Sequence, residues 1–283
     1  MGITTTVAGR KGKEFRELSR ETTATTNSKS KKNRRRQRKM MLPIQRLFDT
    51  CREVFAGSGT NVVPSPQEIE NLKTVLDGIR PEHLELSPEM PCFRVNQAEG
   101  SPMITYLHLY ESEKFSMGIF CLPPSGVIPL HNHPGMTVFS KILFGTMHIK
   151  SYDWVVGAPN SNSVVNPPQA EPHGPRLAKL KVDSNFTAPC ATSILYPADG
   201  GNMHRFTAVT ACAVLDVLGP PYSDPEGRHC TYYDDHPFSR ISVEGVSIPE
   251  EEREGYAWLE ERERPEGISV VGAPYRGPMF VEN

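Results

Sequence analysis

Apolar positions near the start of the chain's long apolar-rich portion recur at helical spacing. Ile44, Leu47, Phe48, Cys51, Val54 and Phe55 share one face, and Gly57 stands where such a helix would stop. Ser65-Pro66-Gln67-Glu68 then reads as a capping box with proline at the first helical position. A stripe of Ile69, Leu72, Leu76 and Ile79 follows, ending near Gly78. Both helices are expected to be packing elements.

From Ile104 the period shortens. Strands are predicted over 104–110, 115–122, 126–131, 136–144, 146–154, 176–182, 191–196, 203–209, 212–218, 230–234 and 239–243. Residues 156–175, rich in Pro, Asn and Ser, read as a long surface loop. The acidic stretch 249–264 reads as a segment laid on the fold by Tyr256, Trp258 and Leu259, with a solvated charged face. Short strands broken by Gly and Pro predict a mainly β domain, a double-sheet barrel or sandwich behind two short helices.

Charge changes the picture at one end. The 283 residues sum to a net charge of −2. Residues 1–41 alone hold thirteen basic and three acidic side chains, about +10, and the rest is about −12. The basic piece is Thr-, Ser- and Arg-rich without apolar periodicity, so it is expected to be a disordered tail, with a folded domain over 42–283. Eight of the eleven residues 29–39 are basic, a pattern shared by nuclear-import signals and solvated tails. No aromatic residues interleave with them, so nucleic-acid reading is not expected. No apolar run approaches the roughly 18 residues of a membrane span, and no signal-peptide pattern opens the chain. Six cysteines without a CxxC pair read as reduced thiols, several of them core.

Most of the nine histidines are isolated and read as surface or hydrogen-bonded residues. His131-Asn132-His133 differs, because residues two apart on a strand face the same side and both imidazoles can converge on one ion. Alone, such a pair also serves packing. A second block strengthens it: Pro197, Gly201 and His204 place a histidine just after a Gly-Gly turn, entering another strand. Together, Gly126, His131, His133 and Gly145 with Pro197, Gly201 and His204 resemble the two motifs of the cupin superfamily. The carboxylate that cupins carry shortly after the HxH pair is missing, since 134–138 holds no acid. Three neutral imidazoles would leave a divalent ion its full charge and open positions, which favours an anionic sulfur ligand. The competing reading is a degenerate cupin holding structural or adventitious zinc, although no fourth protein ligand stands out.

Longer blocks carry a closer resemblance: HNHPGMTVFSKILFGTMHIKSYDW (131–154), YPADGGNMHRFTA (196–208), AVLDVLGPPY (213–222) and RHCTYYDD (228–235). The chain resembles, from Ile44 through Pro278, the plant cysteine oxidase family, which also contains cysteamine dioxygenase. That resemblance implies a cupin-type double-stranded β-barrel (jelly roll) and non-haem iron, Fe(2+), held by His131, His133 and His204. It implies O2 as cosubstrate, with both its atoms passing to the thiol of a protein N-terminal cysteine to give the sulfinic acid. No organic cofactor is expected. The implied substrates are hypoxia-response transcription factors, whose oxidised N-termini enter the N-degron pathway. A monomer of the nucleus and cytoplasm is implied, and turnover of cysteamine or free cysteine is the alternative.

Asp216 matches an active-site aspartate of the family, placed to orient the substrate amine or a bound water, and its apolar run demands a cation or hydrogen-bond donors as partners; a structural aspartate capping a turn is the other reading. Tyr222 matches a family tyrosine near the site, where its phenol is placed to donate to bound oxygen or simply to pack. Cys230 and Tyr232 match the pair proposed to crosslink in the cysteamine enzyme; a buried thiol is the other reading of Cys230.

Overall fold

The computed structural model describes residues 41–94, 102–157, 174–242, 246–265 and 270–282. The expected tail, but for Met41, and most of the expected 156–175 loop lie outside the described residues. Two helices open the domain, α1 (Pro43–Val54) and α2 (Pro66–Asp77). The predicted capping box is formed: Ser65 Oγ accepts from the Glu68 N–H, and the Glu68 carboxylate accepts from the Ser65 N–H at 2.7 Å.

Strands follow as β1 (Ile104–Glu111), β2 (Ser116–Leu122), β3 (Val127–His131), β4 (Thr137–Phe144), β5 (Thr146–Trp154) and β6 (Arg176–Thr187), then β7 (Ser193–Leu195), β8 (Met203–Ala208), β9 (Cys212–Gly219), β10 (Tyr232–Pro237), β11 (Tyr256–Arg262) and β12 (Val270–Pro274). Antiparallel partners are nested: β5 with β6, β4 with β7, β3 with β8 and β2 with β9. This is a long hairpin rolled into two facing sheets, a jelly roll of the cupin type. One sheet runs β12-β1-β2-β9-β4-β7; the other, β10-β11-β6-β5-β8-β3, closes on itself through Tyr232 opposite His131.

α1 and α2 cover the outer face of the first sheet. Ile44, Leu47, Phe48, Leu72 and Leu76 pack with Met117, Ile119, Leu215 and Val217. Strands β2 and β9 are therefore buried on both faces, which explains their nearly unbroken apolar runs. Each fully buried Leu or Phe contributes about 1.5–3 kcal/mol. Cys51, Cys121 and Cys212 are buried and, among the described residues, every cysteine is a free thiol.

Two expectations fail. Residues 238–240 form a 3-10 turn rather than a strand, with Trp258 Nε1–H bonded to the Phe238 carbonyl at 3.2 Å. The acidic stretch is no mere covering: after a 3-10 turn, Glu250–Gly255, it enters the closed sheet as β11. Its Ala257, Trp258 and Leu259 are buried, while the following three charged residues are exposed. Ala257 and Leu259 pack on one face and Trp258 on the other, so burial on both faces gives way to charge without any period-two alternation. β12, the parallel edge strand on β1, was also not foreseen.

Candidate metal centre and its cavity

The centre is assembled by register. His131 ends β3 directly opposite His204 on β8, so the two side chains share a face. His133 lies just beyond the strand end, yet its ring converges with theirs. One ligand-type atom from each histidine lies within 4.8 Å of the others, and all three residues are buried.

Hydrogen bonds set the tautomers. His131 Nδ1 is 2.8 Å from the Pro129 carbonyl, which can only accept, so Nδ1 carries the proton and Nε2 keeps its lone pair. The Tyr222 hydroxyl donates to the Asn132 carbonyl at 2.8 Å. Its oxygen then accepts from His133 Nδ1–H at 2.9 Å, which again frees Nε2. His133 Nε2 and His204 Nε2 are 3.0 Å apart. Nitrogens bound at about 2.1 Å to one ion have a similar spacing, and a cation between them relieves the repulsion of facing lone pairs. Burial lowers the pKa of all three imidazoles; neighbouring imidazoles push His133 and His204 further down, while the Pro129 carbonyl opposes the fall at His131. Three neutral nitrogen donors therefore face one point, a donor set that fits a divalent transition metal. The described residues add no carboxylate to the group.

The histidines lie at one side of a cavity of about 350 Å3. Phe120, Ile128, Phe206, Leu218 and Pro221 make its wall largely apolar. Asp216 enters from β9, only 6% exposed, between Gly118 and Ser140 on the adjoining strands. Burial raises its pKa to about 7, a hydrogen bond with Ser140 works against the rise, and Oδ1 has no partner. Gly118 leaves room for the Tyr106 ring: a Cβ there would lie 2.3 Å from the Tyr106 hydroxyl. Glu111 is the cavity's other acid and is exposed.

Tyr222 faces the same cavity, but its hydroxyl is already committed to Asn132 and His133. Cys230 precedes β10, and its half-buried thiol lies close enough to the phenols of Tyr222 and Tyr232 to interact with both. The Tyr232 ring lies 6.3 Å from that of His131. The structure thus brings all seven predicted site residues into one neighbourhood.

Three residues beside them were not foreseen. Asn202 accepts from the His133 N–H at 3.1 Å and donates to the His133 carbonyl at 2.8 Å. Asp153 accepts from the N–H groups of Gly201 and Asn202 at 3.0 and 2.8 Å. Arg228 is 2% exposed and donates to the Pro221 carbonyl at 2.8 Å. Asp153 carried a usable signal, an acid among strand residues, the same signal that singles out Asp216.

Comparison with known proteins agrees in extent with this domain. The family model described as PCO_ADO matches residues 75–280. Plant cysteine oxidase 2 of Arabidopsis thaliana is 62% identical over 244 residues, covering 86% of this chain and 85% of that protein. Mouse 2-aminoethanethiol dioxygenase is 34% identical over 253 residues, covering 84% of this chain and 96% of that protein. Among solved structures, an RmlC-like cupin protein from Desulfovibrio desulfuricans covers 45% of this chain and 89% of its own at 18% identity, with a TM-score of 0.28. The strand pairing, not that likeness, defines the fold.

Proposed function

This chain belongs to the PCO_ADO family, and from that premise we propose that it is an iron(II)-dependent thiol dioxygenase. It oxidises the N-terminal cysteine of target proteins to the sulfinic acid with O2, an oxygen-sensing step that primes hypoxia-response transcription factors for the N-degron pathway. The observation that carries this reading is a centre of three neutral histidines, with no acid among them, beside a buried carboxylate that has one oxygen without a partner. His131, His133 and His204 would hold the iron, which supplies a dipositive, redox-active centre that favours the substrate thiolate and brings O2 to sulfur.

The chain's own residues do the positioning. Asp216 offers Oδ1 to the α-ammonium group of the substrate. An arriving cation favours the ionised carboxylate that burial otherwise disfavours. Tyr222 fixes the His133 ring and keeps its Nε2 unprotonated. The apolar wall of Phe120, Ile128, Phe206 and Leu218 limits water around the sulfur.

Incubating the iron-loaded protein with a cysteine-initiated peptide tests the reading. The peptide should gain the mass of two oxygen atoms in air and nothing without it. Oxidation of cysteamine with the peptide untouched would instead select a small aminothiol as substrate, and no product from either would leave a non-catalytic cupin. The basic residues 1–41 form an address for nucleus and cytoplasm separate from the catalytic domain of 42–283. A chain beginning at Met41 should oxidise peptide at the full rate while changing its distribution in cells; collapsed activity would contradict the division.

A further inference from the structure

The three histidines are not held alike. His131 and His204 face each other across the β3–β8 ladder, and His204 is also paired with Ser151 on β5. His133 lies past the end of β3, without ladder bonds. We propose that two buried charged side chains, neither a ligand, replace the ladder there: Asp153 positions the His133 backbone, Arg228 positions its ring, and together they set the affinity of the centre for its metal. This rests on the three-histidine reading given above.

The backbone arm begins at Asp153, 7% exposed at the end of β5. A carboxylate so placed is costly unless its bonds are used. Lys181, 3.4 Å away and 36% exposed, is a weak partner. The stronger bonds come from the Gly201 and Asn202 N–H groups, which orient the turn before β8. Gly201 has φ +86°, and a Cβ there would lie 2.3 Å from Ser151 Oγ, so the turn tolerates no side chain. The turn aims Asn202, whose single amide grips both the N–H and the C=O of His133 and also donates to the Tyr196 carbonyl at 2.8 Å.

The ring arm begins at Arg228. Its Nε–H holds the Pro221 carbonyl, and Nη1 donates to Thr60 Oγ1 at 2.6 Å and to the Glu226 carboxylate. Pro221 precedes Tyr222, whose hydroxyl oxygen accepts the hydrogen bond from His133 Nδ1–H. Thr60 adjoins Asn61, whose N–H holds the Gly135 carbonyl at 2.9 Å, just beyond His133. One planar fork thus fixes both sides of the histidine turn, a geometry that a lysine ammonium does not reproduce.

The test is the affinity of the metal-free full-length protein for cobalt(II), read by chelator competition and by the d–d absorption band, with the apoprotein melting temperature measured alongside. Asp153→Ala, Arg228→Lys and Tyr222→Phe should each raise the cobalt Kd by roughly 10- to 100-fold and alter the band. Asp153→Asn should recover most of the affinity, because its Oδ1 still accepts both amide N–H groups. Tyr222→Phe added to Arg228→Lys should cost no more than the worse of the two, since they share one arm. Added to Asp153→Ala its effect should multiply. Wild-type cobalt affinity and band in Asp153→Ala or Arg228→Lys, with only the melting temperature lowered, would reduce that residue to a structural role and overturn the proposal. Tyr222→Phe and Asp153→Asn keep the test decisive if Asp153→Ala does not fold. A wild type that bound no cobalt would overturn the three-histidine reading itself and the proposal with it.

Discussion

His204 and Arg205 are neighbours on β8 and serve two cavities of similar size. His204 lines the cavity of about 350 Å3 described above. Arg205 reaches Asp235, which lines a second cavity of about 420 Å3 between β5, β6, β10 and β11. The second is richer in charge, but the charges that its strands β5, β6 and β10 supply are used. Asp235 accepts from Lys150 and from the Tyr152 hydroxyl, each at 2.8 Å, and Asp183 lies 2.9 Å from His148. Although burial opposes it, those hydrogen bonds hold the Asp235 carboxyl below its ordinary pKa. In the first cavity the comparable carboxylate, Asp216, is left with an empty oxygen and a raised pKa, beside three imidazoles that burial keeps neutral. What marks a reactive cavity here is unmet bonding capacity, not volume or charge count.

The largest effect that could break this contrast is removal of a ligand. His204→Ala should abolish metal binding and lower peptide oxidation by about 10^3-fold or more, with the fold retained in circular dichroism. Substantial activity without His204 would move the chemistry elsewhere.

Exchanging the two aspartates sharpens the contrast next. Asp216→Asn keeps the shape but loses the charge offered to the substrate ammonium, so kcat/KM for a cysteine-initiated peptide should fall by about 10^2-fold with metal content unchanged. Asp235→Asn should leave turnover alone and lower unfolding stability by about 1–3 kcal/mol, because Lys150, Tyr152 and Arg205 lose a charged acceptor. Equal kinetic effects from the two variants would mean that partner count does not separate the cavities.

The same distinction limits what local pattern reveals. His131, His133 and His204 were legible because an HxH pair and a Gly-Gly turn are short-range signals, and β3–β8 pairing converts them into one centre. The two helices were legible from apolar spacing and a capping box. Asn202 and Arg228 were not, because their meaning lies in bonds to His133 and Pro221, set by tertiary contact rather than by period. β11 escaped because three buried residues, Ala257, Trp258 and Leu259, are followed by Glu260, Glu261 and Arg262, so neither strand alternation nor a helical stripe develops. The Tyr222 hydroxyl, read from sequence either as a donor to bound oxygen or as part of a packing side chain, hydrogen-bonds with Asn132 and His133, contacts visible only once those residues are placed.

The smallest effect is a difference in how stability of the metal-free protein changes with pH. Asp216 has a folded pKa raised to about 7 by burial, so from its ordinary value near 4 up to about 7 the folded chain retains a proton that the unfolded chain releases. Its contribution is fully present at low pH and is lost as pH rises through about 7. Asp235 has a lowered folded pKa, so its contribution is present above its ordinary value and is lost as pH falls through the folded one. Denaturant midpoints taken from about pH 5 to about pH 8 should therefore fall more steeply for the wild type than for Asp216→Asn, leaving the variant relatively more stable at the alkaline end. For Asp235→Asn the loss of stability should be largest at neutral pH and shrink on acidification below about pH 4. Parallel profiles for the wild type and Asp216→Asn would mean that Oδ1 already has a stabilising partner, and the contrast between the two aspartates would fail at its source.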